Sequence, residues 1–282
     1  MVEIKIHCPL CFKSGNIEIE ENIISKSERG ISAINVAEHL ICPHSFVAYV
    51  DKNLVVRDCF VTDFKIQLPE IEVEYEIADK QIPGKDEIDV YLITLNLSAL
   101  WLTFIIRAGF LKKKILILNN LEILNEHIVK FFKFIFQNSF KIDISIDTKE
   151  NYKIKKKKYK DYIVIDGNNV ITDKEKIMKI KTIKIERAII QKFLAEDDPK
   201  TSLIIMKNEI QKAYELSKSI VEYNNNLKDN EELTSKKILD YFSKDLGIKL
   251  SSQYLNFLFE IIENYFKVQL SISSDVSDFL GF

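Results

Sequence analysis

Glycine, histidine, cysteine and arginine are all scarce in this 282-residue chain, and each scarcity excludes a class of chemistry. Only seven glycines are present, and neither G-x-G-x-x-G nor G-K-S/T occurs. A dinucleotide-binding turn or P-loop phosphate cradle is therefore not expected. The G-x-S-x-G nucleophile elbow is missing as well. Of four histidines only His127 lies beyond residue 44, in a helical pattern that suits an exposed or capping role better than that of a general base. Of 40 basic residues only Arg29, Arg57, Arg107 and Arg187 are arginine. Bidentate recognition of phosphate or carboxylate thus has few candidates, and lysine supplies charge rather than geometry.

The N-terminus does not read as a signal peptide, because the first six residues run directly into a Cys/His cluster. A cytoplasmic location is the default expectation. One apolar run, Tyr91–Leu111, has the length of a membrane span. It contains Asn96, Ser98, Arg107 and two threonines and leads into the strand-like "ILIL", so a soluble core segment is expected there instead.

What the chain has in quantity is core material: 46% hydrophobic residues, including 18 Phe and 11 Tyr, which excludes a disordered composition. Its length exceeds what one core usually serves, so two or three units are expected. The net charge of −2 hides a segregation. Residues 1–84 carry 8 basic and 14 acidic groups, whereas residues 149–187 carry 13 and 6. An acidic beginning is followed by a strongly basic middle.

Four of the five prolines precede residue 84, and "QIPGKDE" at 81–87 marks the best boundary. Before it, "NIEIEENI", "FVAYV", "LVVRDCFV" and "IEVEYEI" alternate with the period of half-buried antiparallel strands. After it, "LSALWLTFIIRAGF" predicts a helix, "KILILNN" a strand, and "LEILNEHIVKFFKFIFQNSF" a helix with Leu124, Ile128, Phe131, Ile135 and Phe136 on one face. "KIDISID" and "YIVIDGNNVI" predict further strands, and the alternation implies a partly parallel sheet. From about residue 186 the pattern is helical: "TSLIIMKNEIQKAYELSKSIVEY" with Thr201 or Ser202 as cap, "TSKKILDYFSKDLG" ending at Gly247, and "SSQYLNFLFEIIENYF" opened by serines. Acidic pairs at Asp197–Asp198 and Glu231–Glu232 stand at helix starts, where carboxylates favour the exposed amides. The expected organisation is 1–84, 85–185 and 186–282.

The sharpest chemical signal is "HCPLC" at 7–11 followed by "EHLICPHSF" at 38–46. Three of four cysteines and three of four histidines fall within the first 44 residues. Each stretch is an apolar segment, Cys-Pro, a small turn and then a strand, and C-x-x-C turns of this kind place sulfur atoms for a tetrahedral ion. Over about residues 1–66 this resembles the zinc-ribbon family, in which two such knuckles at hairpin tips hold one Zn²⁺. The resemblance places Cys8, Cys11 and Cys42 at ligand positions. Where the family has a fourth cysteine this chain has Ser45, so His44 is the leading fourth ligand, with His39 next and Cys59, His7 or water after it. Cys59, within "VVRDCFV", reads better as an ordinary buried thiol. The implied zinc is structural, because four protein ligands leave no place for an activated water. The fold class that results is α+β: a small antiparallel zinc-ribbon unit, an α/β unit with a partly parallel sheet, and a helical C-terminal region.

"KENYKIKKKKYKDY" holds seven lysines between Lys149 and Lys160. It reads first as a solvated connection between strands with its tyrosines turned inward. Its alternative is a nucleic-acid contact through Lys155, Lys156, Lys157 and Lys158. "KYKDYIVIDGNNVI" resembles the His-x-Lys-x4-Asp-Gly strand of phospholipase D-like proteins at Asp166 and Gly167. Tyr159 and Asp161 replace the histidine and lysine, so the resemblance implies a strand ending in a tight turn and not that chemistry. Helix-turn-helix spacing occurs in 239–262, but the second helix offers Leu255, Phe257, Leu258, Phe259, Ile261 and Ile262 rather than groups that read bases. The tail "SISSDVSDFLGF" has the composition of either a docking element or an anchor folded back on the protein's own helices. A noncatalytic adaptor or regulatory protein acting through protein partners is the leading functional expectation. A nucleic-acid-associated factor and a divergent hydrolase follow it, and the acidic charge of the cysteine segment favours the first over the second.

Overall fold

The computed structural model describes residues 2–9, 11–19, 30–61, 68–69, 82–84, 87–227 and 232–271. The strand expected at 71–77, part of the boundary turn at 81–87 and the tail from 272 onward lie outside the described residues. The architecture is mixed, with antiparallel sheets first, then a partly parallel sheet, then helices.

Strands β1 (Val2–His7) and β2 (Ser14–Ile19) form an antiparallel hairpin with Val2 opposite Ile19 and His7 opposite Ser14. Strands β3 (Ile31–Val36), β4 (Phe46–Asp51) and β5 (Val56–Val61) form a second antiparallel sheet in that order. The expected alternation holds in β2, where Ile17 and Ile19 are buried and Asn16 and Glu18 exposed. It fails in β4, all six residues of which are buried. This strand lies between two cores: Phe46, Ala48 and Val50 face the cysteine-bearing hairpin, while Val47 and Tyr49 face the helices. Two covered faces need apolar residues at every position, which is why "FVAYV" is unbroken.

Helix α1 (Val90–Asn96) opens at Asp89, whose carboxylate accepts from the Leu92 amide. Helix α2 (Ala99–Phe110) is capped by Ser98. The long apolar run is thus two helices bent by 108°, and among the described residues no single helix is long and apolar enough to cross a membrane. Every residue of α2 from Trp101 to Phe110 is buried in the protein. Next come β6 (Lys114–Leu118), α3 (Glu122–Ile135), β7 (Asp143–Asp147), α4 (Lys149–Lys155), a short 3₁₀ turn (Lys156–Tyr159), β8 (Ile163–Asp166) and β9 (Asn169–Thr172). The sheet order is β7-β6-β8-β9, with β6 parallel to both β7 and β8, and β9 antiparallel to β8. Gly167 makes the β8–β9 turn at φ +56°, where a side chain would be strained, so the strand does end in the tight turn expected at Asp166-Gly167.

One face of this sheet, through Ile115, Ile117, Ile163 and Ile165, joins the large core that includes α2, α3 and all later helices. The other face, through Leu116, Leu118 and Val164, is covered by Tyr152 and Tyr159. The lysine-rich connection is therefore a capped helix and a 3₁₀ turn rather than an open link: Thr148 caps it, and the two tyrosines turn inward as expected.

Four C-terminal helices complete the fold: α5 (Lys184–Ala195), α6 (Pro199–Asn225), α7 (Ser235–Asp245) and α8 (Ser252–Ile261), the last extended by a π turn to Phe266. The cap of α6 lies three residues before Thr201 and four before Ser202, the expected caps. Asp198 is the cap, accepting from both the amide and hydroxyl of Thr201 at 2.7 Å, and Pro199 occupies the first turn. Proline fits there because its missing N–H would have no helical partner. Gly247 follows α7 at φ +68°, and Ser251 caps α8, as expected. The second helix of the helix-turn-helix spacing is core, with Leu255, Phe257, Leu258, Ile261 and Ile262 buried.

One ion network crosses this core. The Arg107 guanidinium, 2% exposed, donates to Glu186 of α5 at 2.5 Å, to both carboxylate oxygens of Glu260 of α8 at 3.1 and 3.2 Å, and to the Ile177 carbonyl at 2.7 Å. Burial raises the Glu186 carboxyl above its ordinary value, against the pull of Arg107. Removing one partner of such a pair leaves the other charge buried without compensation, at about 3–5 kcal/mol. Arg107→Ala is expected to lower the melting temperature by roughly ten degrees for a chain of this size, with Glu260→Gln, whose side chain is 44% exposed, costing far less. Thermal unfolding followed by circular dichroism checks both; an unchanged midpoint for Arg107→Ala would show that the network does not hold the helices together.

Candidate metal centre

Two hairpin turns build the centre. In the first, between β1 and β2, the Cys8 amide donates to the Lys13 carbonyl at 2.8 Å and the Phe12 amide donates to the Cys8 carbonyl at 2.9 Å. Phe12 sits at φ +59°, a left-handed conformation that closes the turn. The second turn, between β3 and β4, repeats the device: the His39 amide donates to the Cys42 carbonyl at 2.7 Å, and His39 has φ +69°. Each turn has proline directly after its first cysteine, Pro9 after Cys8 and Pro43 after Cys42, which fixes one backbone angle.

The turns approach because Gly15 of β2 has no side chain. A Cβ there would stand 2.9 Å from Cγ1 of Ile41, which is already tighter than van der Waals contact. This residue was not singled out from the sequence, although an isolated glycine within a strand pattern signals a close approach.

The cysteines Cys8, Cys11 and Cys42 and the imidazole of His44 meet, with their four ligand atoms within 4.8 Å of one another. His44 Nδ1 lies 3.7 Å from the Cys8 sulfur and 3.6 Å from that of Cys42. For metal bonds of about 2.3 Å to sulfur and about 2.0–2.1 Å to nitrogen, a tetrahedral S···N edge is about 3.6 Å. The donor set and its spacing therefore fit a four-coordinate ion.

The alternatives for the fourth position fall elsewhere. His39 is exposed, and only its backbone takes part in the turn. His7 is exposed on β1, because the alternation that turns Ile4, Ile6 and Cys8 inward turns residue 7 outward. Cys59 is buried on β5 opposite Ala48, outside the four-ligand group, and burial pushes its thiol up to about 11. It is the packed thiol the sequence pattern implies.

Within the cluster the cysteines differ. A backbone hydrogen bond at Lys13 is the chief influence bringing the Cys11 thiol down to about 7, whereas burial pushes that of Cys42 up to about 11. A bound cation favours the thiolate at each of them, so metal uptake releases protons. Around the sulfurs lie Ile4, Ile6, Ile17, Ile19, Val36, Phe46, Ala48 and Val50, a core too small to hold two hairpins without further support.

Other sequence-flagged residues are not brought together into a reactive group. His127 Nδ1 accepts from the Asp89 amide at 3.1 Å, a capping role at the start of α1. Lys155, Lys156, Lys157 and Lys158 are exposed at the end of α4 and on the 3₁₀ turn. A cleft of about 210 Å³ between β5 and α2 is lined by Tyr49, Arg57, Asp58, Asn96 and Ser98. Burial raises the Asp58 carboxyl to about 6, but both of its oxygens are engaged, by the Ala99 and Cys59 amides at 2.7 and 2.9 Å. It joins the β unit to the first turn of α2.

No protein-family model matches the chain, and neither the curated proteins nor the solved structures contain a match. The metal centre therefore rests on its own geometry. Protein purified without chelator is expected to contain about one divalent metal ion per chain by elemental analysis. Cys8→Ser or Cys42→Ser should lose the ion and the folded signals of β1–β5, and Cys59→Ser should keep both.

Proposed function

We propose that this protein is a noncatalytic zinc-binding adaptor that acts through protein–protein contacts, with its N-terminal hairpins organised as a zinc ribbon. Three thiolates and an imidazole are the donor set that suits Zn²⁺, and Cys8, Cys11, Cys42 and His44 would hold it. Four protein ligands fill a tetrahedron, so the ion would supply folding energy rather than activate water. A reducing, cytoplasmic setting would keep the four cysteines available as thiols.

The observation that carries the adaptor reading is the exposure of Phe12 and Leu40. They are 77% and 60% exposed, one on each of the two ligand-bearing turns. Turn tips favour small polar residues that satisfy the backbone, and large apolar side chains there gain nothing from the protein's own core. Two of them fixed beside one metal centre make an apolar contact surface whose geometry the ion would set. The acidic balance of residues 1–84 would steer encounters towards basic partners.

A photo-reactive amino acid placed at Ser14, beside the first turn, tests this in the native host. The wild-type turns are expected to cross-link a defined protein, and the double variant Phe12→Asp, Leu40→Asp should lose that product while keeping its zinc and its melting temperature. Equal cross-linking by the variant would remove the knuckle tips from the reading, and turnover of any substrate by the purified protein would replace it with an enzymatic one.

A further inference from the structure

On the far side of the parallel sheet from the helices, α4, the 3₁₀ turn and the end of β9 enclose an open groove of about 870 Å³. It is lined by Lys153, Lys155, Lys156, Lys157, Lys158, Lys160 and Lys174, together with Ile154, Thr172, Tyr152 and Tyr159, and no acidic residue lines it. We propose that this groove binds a single strand of nucleic acid, holding its phosphates by charge and leaving its bases unread. The inference is independent of the adaptor reading and uses none of the same residues.

Ion pairing within the segment leaves most of this charge uncompensated. Lys149 is paired with Asp166 at 2.7 Å and Lys174 with Asp161 at 3.2 Å. Lys153, Lys155, Lys156, Lys157, Lys158 and Lys160 form no ion pair among the described residues. Asp147 lies near Lys155, but its carboxylate already accepts from the Tyr159 hydroxyl at 2.8 Å and the Thr148 amide at 2.9 Å. Four consecutive lysines run through the end of a helix into a 3₁₀ turn, where side chains cannot separate as they would on an extended loop. Like charges held this closely repel, and a bound polyanion relieves the repulsion.

What fixes the lysines is the tyrosine pair beneath them. Tyr152 and Tyr159 are only 8% and 5% exposed, and they pack with Leu116, Leu118 and Val164. Lys158 Nζ lies 5.1 Å above the Tyr159 ring. These rings are therefore scaffold and are not free to stack on bases, which separates this groove from stacking platforms that read single strands through aromatics. Lysine ammonium groups act as point charges without a fixed fork, so phosphates are held without sequence preference. The concave shape and the inward tyrosines disfavour a flat lipid surface, where aromatic side chains would be turned out towards the interface. Ile154, 82% exposed within the groove, is a single apolar contact for the strand's sugars or bases.

The test is fluorescence anisotropy of the full-length protein with labelled 20-nucleotide strands of oligo-dT and oligo-dA at several salt concentrations. Both strands are expected to bind with similar affinity, and affinity should fall steeply as salt rises. The quadruple variant Lys155→Gln, Lys156→Gln, Lys157→Gln, Lys158→Gln, all at exposed positions, should retain the wild-type melting temperature. Each lost phosphate contact removes about 0.7 from the logarithmic salt slope of a single strand, so the variant's slope should be about 3 shallower. The proposal is overturned by the absence of salt-sensitive binding, by an unchanged slope in the variant, or by a tenfold preference between the two strands. Tighter salt-sensitive binding to phosphatidylserine vesicles than to either strand would assign the groove to a membrane surface and equally overturn it.

Discussion

Strand β4 is buried on both faces, and the rest of the structure is arranged around that constraint. Phe46, Ala48 and Val50 close the small core beneath the metal ligands, and Val47 and Tyr49 enter the large helical core. The pairing of β5 respects the division: Cys59, opposite Ala48, stays with the cysteine core, and Phe60, opposite Val47, goes with the helices. A strand with no wet face cannot tolerate a one-residue slip, because every side chain would exchange cores. The register is further held at its end by Asp51, whose carboxylate accepts from the Asn53 and Val55 amides, both at 2.9 Å, and pairs with Arg57. The metal centre is thus attached to the body through a shared strand.

Two polar devices secure the joint from the helical side. Asp58 of β5 accepts from the first amide of α2, so a helix whose N-terminus would otherwise need water is capped by the β unit. Within the helices, Arg107 connects α2 to α5, α8 and the Ile177 loop by hydrogen bonds whose partners are 79, 153 and 70 positions away. The guanidinium's five N–H donors, held in one plane, let it meet four acceptor atoms on three segments at once. That explains why one of only four arginines lies in a helix whose residues from Trp101 to Phe110 are all buried.

The elements that were legible in the sequence are those whose cause is local. Ser98, Ser251 and Gly247 announce helix ends by their own chemistry, and the paired Cys-Pro turns announce the metal cluster. The cap of α6 was misassigned because "EDDPKTS" contains several good caps. Pro199, which favours the first helical turn, is the residue that selects Asp198 over Thr201 or Ser202. The double burial of β4 was missed because alternation was assumed, although a run of five apolar residues already argues for two covered faces. The lysine segment connects two strands with its tyrosines inward, as its composition implies; its helical form, set by the Thr148 cap, is less evident beneath the run of charge. Neither the Arg107 network nor the contact of Gly15 with Ile41 could be read locally, since each depends on segments distant in the chain.

Charge segregation follows the same architecture. The acidic sequence segment 1–84 also carries the cluster whose three thiolates would, with a divalent ion, leave one further negative charge. The lysines of 149–160 lie by the face of the parallel sheet opposite the large core, where Leu116, Leu118 and Val164 still need shielding from water. Tyrosine provides that shielding from within, since its ring fills the apolar layer and its hydroxyl reaches Asp147 at the rim. Lys158 sets its ammonium 5.1 Å from the Tyr159 ring, and Lys155, Lys156, Lys157 and Lys158 all remain exposed. A face that had to be both covered and wet is thereby made strongly positive, in a chain whose net charge is only −2.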